Sequence, residues 1–85
     1  MDGLTVKTTM EDGTEHSFSL RPRIIVEFEQ KYGKGMSKLL GDDQKIEYIY
    51  YLAWATLKAN NIPVKPFGNE FFDTIKTASL ESDPS

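Results

Sequence analysis

The chemistry available to this chain of 85 residues is sparse, and the side chains that could do it are quickly named. His16 is the only histidine and the only side chain whose ordinary pKa lies near neutrality, so general-base or metal-ligand work would fall to it. Either role needs company. There is no cysteine anywhere, and no acid stands at a spacing that would complete a triad or a metal site around His16. Asp42 and Asp43 offer adjacent carboxylates, but a calcium loop needs further oxygens at fixed offsets, and these are absent. They read as helix-capping residues. Gly33-Lys34-Gly35 lacks the spacing of a phosphate-binding loop and does not follow a strand, so it reads as a connector. Arg21 and Arg23 flank Pro22 and carry the fork geometry that grips a partner's carboxylate, or they are solvated charges beside Glu15, Glu27 and Glu29. No acid, base and nucleophile converge, so the expectation is a protein with no catalytic residues, no cofactor and no metal.

Composition narrows the class further. Hydrophobic residues make up 39% and charged residues 27%, which suits a globular chain and not a disordered one. One domain is expected, covering residues 1–80, with 81–85 as a flexible acidic tail. No apolar run approaches the roughly twenty residues of a membrane span, and no basic stretch followed by an apolar block marks a secretory leader. A cytoplasmic protein is expected. The net charge is -3 and the ten basic residues are scattered along the sequence, which argues against nucleic acid as a partner.

The elements that must position these residues can be taken in order. Leu4 to Met10 alternates, with Leu4, Val6 and Thr8 on one side of a strand and Thr5, Lys7 and Thr9 on the other. Glu11-Asp12-Gly13-Thr14 holds the Asp-Gly pair favoured in a two-residue type I′ turn. A second strand over residues 15–20 places His16, Phe18 and Leu20 on one face. Pro22 then suits the first turn of a helix, where its missing amide hydrogen costs nothing. That helix runs to about Tyr32, buries Ile24, Ile25, Phe28 and Tyr32, carries an exposed Glu27–Lys31 pair, and stops at Gly33. Residues 36–40 give a turn or two of helix. A final helix is expected from Pro66 or Asn69 to Ala78, presenting Phe67, Phe71, Phe72 and Ile75.

Residues 42–61, DDQKIEYIYYLAWATLKANN, form the centre: a rod of roughly 28 Å at about 1.5 Å per residue, capped by the two aspartates and closed by Asn60 or Asn61 before Pro63. Ile46, Ile49, Tyr50, Ala53, Trp54 and Leu57 share one broad apolar face, read as core. Tyr48, Tyr51, Leu52, Ala55 and Ala59 make a second. A surface helix needs only one such stripe, so the second meets either other parts of the domain, a second copy or a partner. The fold expected is α+β: an N-terminal β-hairpin packed on a small helical bundle with one long central helix.

Taken together, MEDGTEHSFSLRPR, IIVEFEQKYGKG, IEYIYYLAWATLKANN and VKPF resemble, in order and spacing, the small tail assembly chaperones of long-tailed (siphovirus-type) bacteriophages, over about Leu4 to Leu80. The resemblance implies a non-enzymatic role in the host cytoplasm and absence from the mature virion. Such chaperones bind the tape measure protein, keep it soluble and promote polymerisation of the tail tube protein around it. The family often makes a second, frameshifted product, and the SLESDPS ending suits the shorter one. Carried onto this chain, the role needs a surface for an amphipathic helix, and Tyr48, Tyr51, Leu52 and Ala55, with Phe67 and Phe71, are the expected partner-binding residues. Two alternatives remain open: a structural virion protein, such as a tail completion or joining subunit that self-associates through the same face, and a host-directed protein inhibitor.

Overall fold

The computed structural model describes residues 4–33, 35, 41 and 46–82. The N-terminal alternation forms strand β1, Leu4–Met10, and the second strand, β2, spans Glu15–Ser19. They pair antiparallel, with Val6 opposite Phe18 and Thr8 opposite His16. The loop between them is not the two-residue type I′ turn. Only Gly13 has positive φ, at 93°, whereas a type I′ turn needs it at both central positions. Gly13 N–H donates to the Met10 carbonyl (3.0 Å) and Met10 N–H to the Thr14 carbonyl (2.8 Å), which makes a three-residue loop with glycine at its left-handed position. Asp12 holds it closed by accepting the Thr14 N–H through Oδ1 at 2.8 Å.

Helix α1, Pro22–Tyr32, begins at its proline and ends at Gly33, whose φ of 72° lets its N–H reach back to the Glu29 carbonyl. Ile24 and Phe28 are its buried residues. The expected Glu27–Lys31 pair gives way to another arrangement: Glu27 lies 4.0 Å from Arg23, and the Lys31 ammonium sits over aromatic rings. The central helix, α2, spans Ile46–Ala59. Its C-terminal end is a double reverse bond, Ile62 N–H to the Leu57 carbonyl (3.0 Å) and Asn61 N–H to the Lys58 carbonyl (3.1 Å), with Asn61 left-handed at φ 63°. Asn61 rather than Asn60 takes that conformation. The expected aspartate cap and the short helix over residues 36–40 lie outside the described residues.

The last part of the chain departs from the expected helix. Only Asn69–Phe72 is helical (α3), and Ile75–Ser82 is a third strand, β3, hydrogen-bonded to β1 to give a sheet of order β2-β1-β3. The sheet is antiparallel throughout, so the hairpin is the first two strands of a three-stranded layer and the helical bundle is smaller than expected. Glu81 and Ser82, read as tail, are the end of that strand; 83–85 lie outside the described residues. The register slips once: Thr9 pairs with Thr77 but Met10 with Ile75, leaving Lys76 as the extra residue of a bulge.

One face of this sheet is polar, carrying Thr5, Lys7, Thr9, Ser17 and Ser79. The other carries Val6 and Thr8, both buried, with Phe18, Ala78 and Leu80 partly buried beside them. Helix α2 lies across that face and contacts all three strands as well as α1. Its buried residues are Tyr48, Leu52, Ala53, Ala55, Thr56 and Leu57. The two faces are therefore apportioned differently from the expectation. Ile46, read as core, is 62% exposed, whereas Tyr48, Leu52 and Ala55 join Val6, Leu20, Ile24 and Phe28 in the main cluster. A second cluster gathers Leu57, Phe71 and Ile75, and Trp54 borders both.

Candidate functional site

At about 100° per residue, Glu47, Tyr51, Trp54 and Lys58 fall within one narrow strip of α2. The sheet and α1 leave this strip partly open, as they do Ile46 on another side of the helix. Glu47 and Lys58 are exposed; Tyr51 and Trp54 are half-buried, an apolar pair between two charges. On one side of the strip α1 approaches, its Phe28 ring 5.7 Å from Tyr48 and 6.1 Å from Tyr51. On the other side runs the crossover, residues 62–66, which doubles back because Asn61 turns the chain and Pro63 prevents the helix from continuing.

Trp54 ties these parts together. Its indole N–H donates to the Lys65 carbonyl at 2.8 Å, and the Lys58 ammonium lies 4.9 Å from its ring centre. Phe67, just beyond the crossover, packs its ring 5.2 Å from Tyr51 and 5.7 Å from Trp54. Lys31 reaches the same group from α1, 5.4 Å from the Tyr51 ring centre and 5.5 Å from that of Phe67.

Two hollows meet along this line. The first lies between α2 and the crossover, lined by Trp54, Lys58, Ile62, Pro63, Val64 and Phe67 among others. The second lies between the start of α1 and α2, lined by Arg21, Arg23, Glu27, Tyr51, Trp54, Ala55, Lys58 and Ala59. They share Trp54 and Lys58, which stand between them. Ala55 and Ala59 take up little of the second hollow, because neither side chain extends past its Cβ.

Basic side chains outnumber carboxylates around the second hollow, where Arg21, Arg23 and Lys58 stand with Glu27. Arg21, Lys58 and Lys65 have no carboxylate within ion-pair distance among the described residues. Arg23 faces Glu27 at 4.0 Å, but with the two side chains 90% and 44% exposed the pair is worth little. Burial, then the Glu27 carboxylate, raises the Tyr51 phenol above its ordinary value. Burial and the carboxylate of Glu47, which accepts its hydrogen bond at 3.2 Å, push Tyr32 up as well. Both stay neutral at physiological pH, so the rings present uncharged surfaces with hydroxyl tips.

The six residues expected to bind a partner divide on this structure. Tyr48, Leu52 and Phe71 are interior, packed against Phe28 and Ile75 or within the clusters around them. Ala55 is also nearly covered, but it lines the second hollow, and Tyr51 and Phe67 stand partly open beside it. The sequence reading missed Trp54, placed there in the core, and Lys58, taken only as a separator between faces. Arg21 and Arg23 were recognised as able to hold a carboxylate, and they flank this hollow. His16 lies elsewhere, half-buried with its ring stacked 6.1 Å from Phe18. No cluster of histidine and acidic side chains suited to a metal ion occurs among the described residues.

The groups lining this surface supply ring faces, apolar contact and cationic donors, the means of holding another molecule. Among the described residues no helix is long and apolar enough to cross a membrane. No family model matches the chain, and neither a curated protein nor a solved structure matches it.

Proposed function

We propose that this chain is a tail assembly chaperone of a long-tailed phage, which works in the host cytoplasm without catalysing a reaction. In this reading the tape measure protein is the client, and its amphipathic helices lie on the surface between α1, α2 and the crossover. One observation carries the proposal: α2 presents the half-buried rings of Tyr51 and Trp54 beside Ala55 and Ala59, with Phe67 continuing the aromatic surface. A groove of that kind receives a helix through residues spaced i, i+3, i+4 and i+7. Large rings lose little side-chain freedom when they bury area, which suits a holder that must later release its client. The resemblance of the sequence to such chaperones suggests the client, and the half-buried rings of α2 support this surface as its seat.

The test is co-expression of the chain with the tape measure protein of its own phage. Wild type should keep that protein in the soluble fraction and co-purify with it. Ala59→Phe fills the groove from an exposed position without touching the core, and should return the tape measure protein to the pellet while the variant keeps its circular dichroism spectrum. A tape measure protein that is equally soluble with and without the chain refutes the role. Stoichiometric recovery of the chain in purified virions would replace the chaperone by a structural tail subunit.

A further inference from the structure

The chain as a whole is acidic, yet the rim of this surface is basic. Of ten lysines and arginines in the sequence, Arg21, Arg23, Lys31, Lys58 and Lys65 lie at this aromatic surface, although the linear sequence shows no basic cluster. Folding gathers them. The start of α1 brings two arginines to the second hollow, α2 brings Lys58 to it, and the crossover carries Lys65 past Trp54. Among the described residues Glu27 is the carboxylate lining these hollows, with Arg23 4.0 Å from it, and Glu47 stands exposed at the other end of the same strip of α2.

A cation has two uses beside an aromatic ring, and Lys58 and Lys31 show one of them by covering ring faces. Arg21 shows neither a ring nor a carboxylate among the described residues. It is exposed and lines the second hollow together with Tyr51, Trp54, Ala55 and Ala59. Rings and alanines set among cations from two helices select a partner with an apolar stripe flanked by acids. A partner with lysines on its flanks would meet like charge at Arg21 and Lys58 together.

From this charge distribution we infer that the occupant of the groove is an acidic amphipathic helix, with Glu or Asp bordering its apolar stripe on each side. The inference rests on the client-holding role proposed above and specifies the chemistry of the client segment. One flank meets Arg21 and Arg23, the other Lys58, and the stripe covers Tyr51, Trp54 and Ala59. Docking displaces solvent from the indole, and Trp54 is the only tryptophan in the chain, so occupancy has its own optical signal.

Two synthetic peptides test it, both helical with the same Leu and Phe stripe, one flanked by Glu and the other by Lys. Each is titrated into the intact protein while Trp54 emission is followed at low and at high salt. The acidic peptide is expected to bind about tenfold or more tighter than the basic one, with the advantage shrinking as salt screens the rim charges. The Arg21→Glu, Lys58→Glu variant, with both changes at exposed positions, is expected to reverse the preference. Equal affinity for the two peptides, a preference for the basic one, or no binding of either overturns the inference. The co-expression assay with the tape measure protein is independent of peptide charge, so solubilisation there would leave the chaperone reading standing when this inference falls.

Discussion

The sharpest physical test of the fold is which face of α2 is buried, because every later statement about the groove depends on it. Leu52 and Ile46 are both large aliphatic residues of this helix, and the structure treats them oppositely: Leu52 is 0% exposed and Ile46 62%. Truncating a fully buried leucine to alanine removes its transfer energy and leaves a cavity, about 2–5 kcal/mol in all. For a chain of this size about 1 kcal/mol moves the thermal midpoint by about 4–8 °C, so about 3 kcal/mol at Leu52 lowers it by about 12–24 °C. Ile46→Ala is different. Full burial of isoleucine is worth about 1.5–3 kcal/mol, and with well over half of the residue already in water only about 1 kcal/mol or less is at stake. Alanine's better helix propensity returns a few tenths of that. Thermal melts and urea titrations of both variants, read by far-ultraviolet circular dichroism, decide the matter. A larger loss at Ile46 than at Leu52 would refute the orientation of α2 and with it the placement of the groove.

Other consequences can be checked in the same assays. Thr56 Oγ1 is buried without a hydrogen-bond partner, so Thr56→Val should hold or raise the urea midpoint, by up to about 1 kcal/mol, where a paired hydroxyl would show a loss. Gly33→Ala meets nothing at its Cβ but forces a side chain onto φ 72°, so it should cost about 1–2 kcal/mol, all of it backbone. Asn61→Gly should be neutral or slightly stabilising, since the residue already holds the left-handed conformation that glycine adopts freely. Asp12 has its pKa lowered below 3.8, chiefly by the Thr14 N–H. A carboxyl depressed in the folded state contributes stability that is present above its unfolded pKa and lost as pH falls through the folded one. Asp12→Ala should therefore remove part of the acid dependence of the urea midpoint below about pH 4 and leave the rest of the pH profile unchanged.

Much of the fold was legible because several local signals agreed. Alternation gave β1 and β2, Pro22 and Gly33 bounded α1, and the Asn-Asn-Ile-Pro string closed α2 where the structure closes it. The error over β3 has a definite cause. Phe71, Phe72 and Ile75 stand at helical spacing, and Ala78 follows Ile75 by three. In the sheet that spacing arises because the bulge at Lys76 inserts one residue between Ile75 and the regular alternation that ends in Ala78 and Leu80. A period of two interrupted by a bulge therefore imitates a helical period. The hairpin turn misled for a related reason: Asp-Gly satisfies both the two-residue turn and the longer loop, and only the pairing register distinguishes them.

The site was harder to read, and the reason lies in α2 itself. A helix that is apolar nearly all round does not declare its core face, since a wheel drawn from it permits several rotations. What fixes the rotation is the surroundings. Phe28 and Tyr32 of α1 take Tyr48, and the sheet takes the side around Leu52 and Leu57. The crossover fastens to Trp54 through Lys65. The remaining strip still carries two aromatic residues because those three coverings do not close over it. Partial burial of Tyr51, Trp54 and Phe67 follows from the number of elements available to cover one helix. The basic rim also depends on tertiary placement: its members come from residues 21, 23, 31, 58 and 65, so only the antiparallel approach of α1 and the return of the crossover bring them to one surface. The aromatic surface and the charge that borders it are thus set by the same packing, and a change that rotated α2 would abolish both together.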